Sequence, residues 1–288
     1  MAEQVLDMTQ TKTASAVTPA FGHYAPTWFH QKVLRITKSR PDSWLGRRMA
    51  FIFRRFALLT LNGPLDVKLF GHDLRLYPFR NVSERRALFT PQYFDERERT
   101  LIAERLPDNP VFVDIGANVG LYSFFVAGQA KGQATILAIE PQTDILDRLK
   151  TNIGFNAQTG IKPLDCAVGS ENGEMTLFID PGNQGESSVK MIGDGGSETA
   201  IRVPTKTLLT ILDEEGIDHI DGLKIDVEGA EDIILFPFFE NAPASLHPGV
   251  VVLERSDDAW HDDCRQLLIS HGYALIAETR LNLVFEKT

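Results

Sequence analysis

The segment 110-PVFVDIGANVGLYSFF-125 constrains the fold of this chain more than any other. Its apolar residues of high β propensity run up to Asp114 and predict a strand. Three residues typical of turns, Gly116, Asn118 and Gly120, come next, and a helical pattern follows them. A strand joined to a helix by a glycine turn is a common way to hold a nucleotide-like ligand. The segment therefore predicts an α/β fold with a ligand site at this turn.

Strand and helix patterns alternate from residue 110 to residue 288. The predicted strands lie near 110–115, 134–140, 161–168, 221–227, 249–254, 272–277 and 281–286, and the predicted helices near 119–129, 142–156, 205–215, 229–240 and 258–270. Such alternation is typical of a parallel sheet with helices on both faces. The last two strands are too close for a crossover, so they pair antiparallel. We therefore expect a Rossmann-like α/β sheet that is mostly parallel, with one antiparallel edge strand.

Two regions depart from this alternation. Two strands at 174–180 and 200–205 are predicted around a Gly- and Ser-rich loop, 182–198, an insertion long enough to have a function. The region before residue 106 predicts a polar tail, two helices, a hairpin and a helical stretch. The predicted parts are residues 1–62, a disordered tail (1–25) and basic amphipathic helices (27–40 and 43–61); residues 63–105, a hairpin and helical lead-in; and residues 106–288, the α/β domain.

Charge is distributed unevenly along the chain. The net charge is −10, whereas residues 27–61 contain eight basic residues and one acid, Asp42. The acidic remainder argues against nucleic-acid binding. The basic helices either lie on an anionic membrane surface or cover the α/β domain with their arginines outward. Two cysteines, Cys166 and Cys264, and the lack of an apolar run of about 20 residues predict a cytoplasmic protein, with a peripheral position on the inner membrane surface as the alternative.

Two ligands compete for the glycine turn. A dinucleotide site needs G-x-G-x-x-G, whose middle glycine lets the backbone approach a pyrophosphate. Asn118 stands at that middle position, and the spacing to Gly120 is wrong. S-adenosylmethionine has no phosphate: its carboxylate suits the N–H groups of a helix start, and its ammonium suits Asp114. The turn favours S-adenosylmethionine, and an NAD-dependent oxidoreductase is the alternative.

Residues after the second and third strands extend the predicted cofactor site. Glu140 ends the second strand and can accept both ribose hydroxyls. After the third strand, Asp165 can receive the adenine amino group, with Cys166 and Ala167 against the ring. The predicted cofactor contacts are Asp114, Gly116, Ala117, Asn118, Gly120, Glu140, Pro141, Asp165, Cys166, Ala167 and Asp226.

Acids also follow the fourth and fifth strands. Asp226 and Glu228 follow the apolar start of 223-LKIDVEGAEDIIL-235, and Glu254 ends the strand 250-VVVLE-254. Acids at the ligand edge of the sheet can accept a proton from a bound substrate, so these three are the predicted catalytic residues. The sulfonium methyl is already activated, so we assign no metal. Mg²⁺ bound by the same three acids is the alternative.

With these residues the chain resembles the FkbM family of S-adenosylmethionine-dependent methyltransferases, over about residues 80–255. The matching motifs are DIGANVG (114–120), AIEP (138–141), CAVG (166–169), TKTLLTIL (205–212) and LKIDVEGAE (223–231). The resemblance implies a seven-stranded methyltransferase sheet and methyl transfer to a hydroxyl oxygen of a sugar, a glycolipid or a secondary metabolite. It implies a small-molecule or glycan acceptor and leaves the oligomeric state open. A non-enzymatic membrane-surface protein is the remaining alternative.

Overall fold

The computed structural model describes residues 18–79, 81–179, 187–188 and 199–288. The first elements are α1 (Trp28–Lys38), α2 (Trp44–Thr60), β1 (Leu65–Leu69), β2 (His72–Leu76), α3 (Val82–Phe89) and α4 (Glu96–Arg105). The later elements are β3 (Val111–Ile115), α5 (Leu121–Gln129), β4 (Thr135–Ile139), α6 (Thr143–Gly154), β5 (Ile161–Leu164), β6 (Ala167–Val168), β7 (Gly173–Ile179), β8 (Ser187–Ser188), β9 (Thr199–Lys206), α7 (Leu208–Glu214), β10 (Gly222–Ile225), α8 (Glu231–Asn241), β11 (Val250–Glu254), α9 (Cys264–Ser270), β12 (Tyr273–Glu278) and β13 (Asn282–Lys287).

The central sheet has seven strands in the order β12–β13–β11–β10–β3–β4–β5. All neighbours pair parallel except those of β13, which is antiparallel to both β11 and β12. The prediction of one antiparallel strand is confirmed, but its predicted place at the edge is wrong. The connection through α9 carries the chain from β11 to β12 and leaves room for one strand between them. The final hairpin places β13 in that position, so β12 is the edge strand.

A second sheet of four strands, in the order β6–β9–β7–β8, follows β5. The sequence predicts a single strand over 161–168, but β5 ends at Leu164 and β6 pairs with β9 instead. Ala167 packs in this second sheet with Leu177 and Val203, and the three are buried together. The loop predicted at 182–198 lies outside the described residues, apart from β8.

Apolar side chains of the central strands pack alternately on the two faces of the sheet. On β3, Phe112 belongs to the core on the side of α5 and α6, whereas Val113 and Ile115 belong to the core on the side of α7 and α8. This alternation follows from the two-residue period of a strand. Because β3, β4, β10 and β11 are parallel, the residues that follow them meet at one edge of the sheet.

The segment before α1, residues 18–25, is attached to the hairpin β1–β2. Asp66 accepts hydrogen bonds from two backbone N–H groups of this segment, and Arg75 donates to two of its carbonyls. Asp66 and Arg75 are buried and form an ion pair with 2.7 Å between Oδ1 and Nε. A buried ion pair needs its remaining hydrogen bonds satisfied, and this backbone supplies them. The predicted loose tail is therefore wrong for residues 18–25; residues 1–17 lie outside the described residues.

Candidate active site

A cavity of about 320 Å³ opens at the carboxyl edge of the central sheet. Its wall combines residues that follow β3, β4, β10 and β11 with others from α3, the second sheet and the β12–β13 turn. The predicted residues that line it are Asp114, Gly116, Ala117, Asn118, Glu140, Pro141, Cys166, Ala167, Asp226, Glu228 and Glu254. The fold thus gathers residues that are far apart in the chain around one space.

Two predicted cofactor contacts, Gly120 and Asp165, do not line the cavity. Asp165 is exposed, because β5 ends one residue earlier and the chain turns toward the second sheet. Gly120 has a φ of +86°, and an added Cβ would lie 2.6 Å from Leu149 Cδ1. Gly120 is therefore required by the turn and by the packing of α6.

The glycine turn brings the end of β3 close to the end of β10. Gly116 has a φ of +73°, and an added Cβ would lie 1.9 Å from the carbonyl oxygen of Asp226. The N–H groups of Gly116 and Ala117 both donate to the carbonyl of Ile139. Only glycine fits this contact, because any side chain would push the two strand ends apart.

Two backbone N–H groups at the start of α5 can donate hydrogen bonds to a ligand in the cavity. Leu121 and Tyr122 line the cavity, and their backbone N–H groups have no hydrogen-bond acceptor among the described residues. In contrast, Asn118 and Val119 donate their N–H groups to Glu140 and to the Asn118 side chain. An anionic ligand group at the start of α5 would therefore meet Leu121 and Tyr122 first.

Glu140 is a buried carboxylate with acceptor capacity left over. Its Oε2 accepts the Asn118 N–H and its Oε1 accepts the Gln142 N–H, both at 2.9 Å. Each carboxylate oxygen can accept about two hydrogen bonds, so one site on each oxygen remains. Burial raises the pKa of Glu140 to about 7, although the two backbone hydrogen bonds oppose this shift. A ligand with two adjacent hydroxyl groups would match the remaining sites.

Asn118 also joins the turn to the N-terminal part of the chain. Its Oδ1 accepts a hydrogen bond from Asn81 Nδ2 at 2.7 Å, and Asn81 in turn caps α3 by accepting the Glu84 N–H. Asn118 has a φ of +53°, a left-handed conformation that asparagine tolerates better than most residues. Its side chain is therefore committed to holding α3 against the cavity.

Lys224 is a buried cation at the centre of the site, and sequence reasoning missed it. It pairs in register with Asp114 across β10 and β3, and its Nζ lies 2.7 Å from Asp226 Oδ2 and 5.0 Å from the centre of the Tyr122 ring. Burial alone would raise the pKa of Asp226, but the Lys224 ammonium holds it below its ordinary value. The sequence does contain a sign of this residue's role, because a lysine inside the apolar strand LKID needs a buried partner.

Asp114 already uses one of its carboxylate oxygens for hydrogen bonds within the protein, which its position in the sequence does not reveal. Its Oδ2 accepts both the N–H and the hydroxyl of Ser123, at 3.1 and 2.6 Å, and so holds the first turn of α5. Burial raises the pKa of Asp114, and Lys224 opposes that shift. Only its other oxygen is left for a cationic ligand group.

Three acids form a cluster that begins at Asp226, the partner of Lys224. One oxygen each from Asp226, Glu228 and Glu254 lies within 4.8 Å of the others, and all three residues are half-buried. The Glu228 N–H donates to Glu254 Oε2 at 3.2 Å. Burial, with the charges of Asp226 and Glu228, raises the pKa of Glu254 well above its ordinary value. These surroundings favour the protonated form of Glu254 beside an ionised Asp226.

The Glu231 side chain accepts hydrogen bonds from the loop that carries Glu228. Glu231 is fully buried; its Oε1 accepts the N–H groups of Val227 and Gly229, and its Oε2 accepts the Trp260 indole N–H at 2.6 Å. Glu228 itself has a φ of +53°, which is unusual for glutamate. Glu231 thus fixes the backbone that presents Glu228.

Further residues line the cavity that the strand-end motifs did not identify. They are Asn81, Arg86, Tyr122, Lys224, Arg280 and Asn282. Only tertiary packing brings α3 and the β12–β13 turn to this edge, so a pattern within one segment could not identify Arg86 or Arg280.

The strand order and this cavity define a Rossmann-like methyltransferase. The model of the Methyltransferase FkbM domain matches residues 114–275, more than half of the chain. The chain belongs to the FkbM methyltransferase family, whose methyl donor is S-adenosyl-L-methionine. The predictions of family, fold class and cofactor are confirmed.

Several known proteins are similar to this chain. Methyltransferase sdnD from Sordaria araneosa is 35% identical over 154 residues, which are 44% of this chain and 59% of the relative's length. Methyltransferase 1 from Beauveria bassiana is 26% identical over 189 residues, which are 60% of this chain and 75% of that protein. The crystal structure of Methyltransferase FkbM from Methylobacillus flagellatus KT is 16% identical, covers 67% of this chain and 58% of that chain, and has a TM-score of 0.41.

The geometry around Glu140 fits S-adenosylmethionine. The open acceptor sites of buried Glu140 match the two ribose hydroxyls.

Proposed function

We propose that this chain transfers a methyl group from S-adenosylmethionine to a hydroxyl oxygen of a small molecule or glycan, such as a sugar, a glycolipid or a secondary metabolite. The observation that carries the proposal is Asp226, a carboxylate kept ionised by Lys224 in the same cavity as Glu140. A hydroxyl group must lose its proton as it is methylated, and a carboxylate here can accept it. We name the region around Gly116 and Glu140 the cofactor half, and the region around Lys224, Asp226 and Glu254 the acceptor half.

In the cofactor half, Glu140 would accept the ribose hydroxyls. The cofactor's carboxylate would receive the N–H groups of Leu121 and Tyr122, and Asp114 would face its ammonium with the oxygen that Ser123 does not use. Cys166 and Ala167, both buried at the cavity wall, would flank the adenine ring together with Pro141.

In the acceptor half, the chain's own groups would position and deprotonate the acceptor. Bound S-adenosylmethionine supplies an already activated methyl group, so the residues need only align the acceptor oxygen with it. The hydroxyl proton would pass to the cluster of Asp226, Glu228 and Glu254 as the new O–CH₃ bond forms and the S–CH₃ bond breaks. Glu228, presented by its left-handed backbone, would contact the acceptor.

Transfer of labelled methyl groups to fractionated glycans, glycolipids and small metabolites of the source cells tests this proposal. We expect a labelled product whose methyl carbon is bonded to oxygen when the purified product is assigned by NMR. A product methylated on nitrogen or carbon would contradict the proposed acceptor chemistry.

A magnesium-assisted version of the same transfer is the second candidate. The three clustered oxygens of Asp226, Glu228 and Glu254 favour it, since hard cations prefer carboxylate ligands. Dialysis against a chelator, followed by the methyl-transfer assay with and without added Mg²⁺, separates the two versions. Activity that survives chelation supports the carboxylate base, whereas activity restored only by Mg²⁺ supports the metal.

A further inference from the structure

The N-terminal helices turn their large apolar side chains toward solvent. Five of these side chains are more than half exposed and form what we call the N-terminal apolar surface: Trp28, Trp44, Leu45, Phe56 and Leu59. The buried positions of α2 are instead small residues, Gly46, Ala50 and Ala57. Helix α2 therefore packs against the protein through its small residues. A helix that covered its own domain would instead pack through its apolar stripe.

Cations lie among these exposed aromatic rings. Lys32 Nζ lies 5.2 Å from the centre of the Trp28 ring, and the Arg48 guanidinium lies 5.5 Å from that of Trp44. Asp42, the single acid in residues 27–61, is already bonded to Arg47. The surface is thus both apolar and strongly basic on a chain whose net charge is −10.

Helix α1, which carries part of this surface, packs against α3, and α3 forms part of the cavity wall. Helix α1 contacts α3, the Gln92 side chain donates to the Thr37 carbonyl at 2.8 Å, and the Tyr93 hydroxyl donates to the Pro41 carbonyl at 2.7 Å. The adjoining α3 carries Arg86, which lines the cavity. The partner of the surface would therefore lie beside the cavity.

We propose that the N-terminal apolar surface docks on an anionic lipid membrane, with α1 and α2 lying in the headgroup layer. Aromatic and leucine side chains can enter the boundary of the acyl chains, while arginine and lysine side chains extend to anionic headgroups. Among the residues that the structure describes, no helix is both long and apolar enough to span a membrane. A second copy of the chain would bring the same basic surface against itself, which charge repulsion disfavours.

The position of the surface also points to the acceptor, a step that rests on the proposed function. A protein docked in this way would hold the cavity beside the headgroup layer, within reach of a hydroxyl on a membrane amphiphile. Among the acceptor classes proposed above, the glycolipid is therefore the one that this geometry favours.

Co-sedimentation of the full chain with vesicles tests the docking directly. We expect binding to vesicles of phosphatidylcholine mixed with phosphatidylglycerol, weaker binding to pure phosphatidylcholine, and a loss of binding as salt is raised. Each arginine near an anionic surface contributes about fivefold to partitioning, so Arg48→Gln with Arg55→Gln should weaken binding about 25-fold. Trp44→Ser with Leu59→Ser should weaken it on both kinds of vesicle.

Two control variants carry matched changes elsewhere on the surface. Lys131→Gln removes a cation whose side chain is 79% exposed, and Ile269→Ser removes an apolar side chain that is 50% exposed. Both should bind vesicles like the wild type, and circular dichroism should show that every variant is folded. Equal binding by all variants, or no binding by the wild type, would overturn the proposal.

Two further readouts keep the inferences separate. Light scattering that finds a dimer, which Trp44→Ser with Leu59→Ser dissociates, would assign the surface to a second copy and overturn membrane docking. Calorimetric titration with S-adenosylhomocysteine should give the same affinity in every variant, because none of these residues lines the cavity. Vesicle binding does not depend on the chemistry, so a failure of the proposed O-methylation would leave it intact.

Discussion

The cofactor half and the acceptor half each contain an acid with a raised pKa, but the groups around the two acids differ. Glu140 is surrounded by backbone N–H donors from its own loop and from the glycine turn. Asp226 and Glu254 depend mainly on side chains: Lys224 pairs with Asp226, and a hydrogen bond joins Asp226 to Glu254. The backbone of the cofactor half is set by local turn geometry, whereas the acceptor half exists only when several elements pack together.

This comparison predicts that a substitution in one half changes either the rate or the cofactor affinity and leaves the other close to the wild-type value. Glu228→Gln should lower kcat by about 10²–10⁴-fold, the range that a catalytic acid or base contributes, while the Kd for S-adenosylmethionine stays close to the wild-type value. Steady-state rates and calorimetric titration on the same preparation measure both. Normal turnover would remove Glu228 from the catalytic residues and leave Asp226 and Glu254.

A glycine substitution tests how far the cofactor half depends on its backbone. Gly116→Ala should lower the free energy of unfolding by about 3 kcal/mol, because the left-handed φ is strained and the new Cβ meets the Asp226 carbonyl. Gly154→Ala is the matched control: its Cβ meets nothing within 4 Å, and alanine favours the helix there. Chemical denaturation should show a large loss for the first variant and none for the second.

Loss of the ribose partner should weaken cofactor binding. Glu140→Ala should weaken the affinity for S-adenosylmethionine by about 1.5–3 kcal/mol, the scale of hydrogen bonds to a charged group. Glu240→Ala, at an exposed position near the end of α8, should leave the affinity unchanged. If Glu140→Ala binds normally, Glu140 serves only to hold the turn.

The smallest expected effect is a pH dependence of cofactor binding. Burial raises the pKa of Glu140 to about 7, and ribose hydroxyls donate to the ionised form, so affinity should rise with pH. Between pH 6 and pH 8 the ionised fraction grows about tenfold, and so should the affinity for S-adenosylhomocysteine. In the free protein the same raised pKa makes this group's contribution to stability fall as pH rises from about 4.5 to 7. Glu140→Gln should flatten the binding profile; an unchanged profile would assign it to another group.

The same contrast explains which parts of the site could be predicted from the sequence. Gly116 and Glu140 follow strands directly, so their motifs locate them. Arg86 and Arg280 reach the cavity only through tertiary packing, and no local pattern marks them. Asp165 follows an apolar run, which suggests a strand end at the site, but it does not line the cavity because the chain there turns toward the second sheet.

The fold shows the same limit. Alternating patterns identified the seven strands and the antiparallel hairpin, because these depend on local periodicity and on a short connection. The position of β13 between β11 and β12 depends on which hairpin strand can fill the gap beside β11, which local sequence does not specify. The apolar stripe of α2 was recognised, but its outward orientation is a property of the packed chain.

A crystal structure of the complex with S-adenosylhomocysteine tests the division of the cavity most directly. The account predicts both ribose hydroxyls within hydrogen-bond distance of the two Glu140 oxygens, with the sulfur facing Asp226. A ribose bound at Asp226 and Glu254, with Glu140 left without a ligand contact, would contradict it.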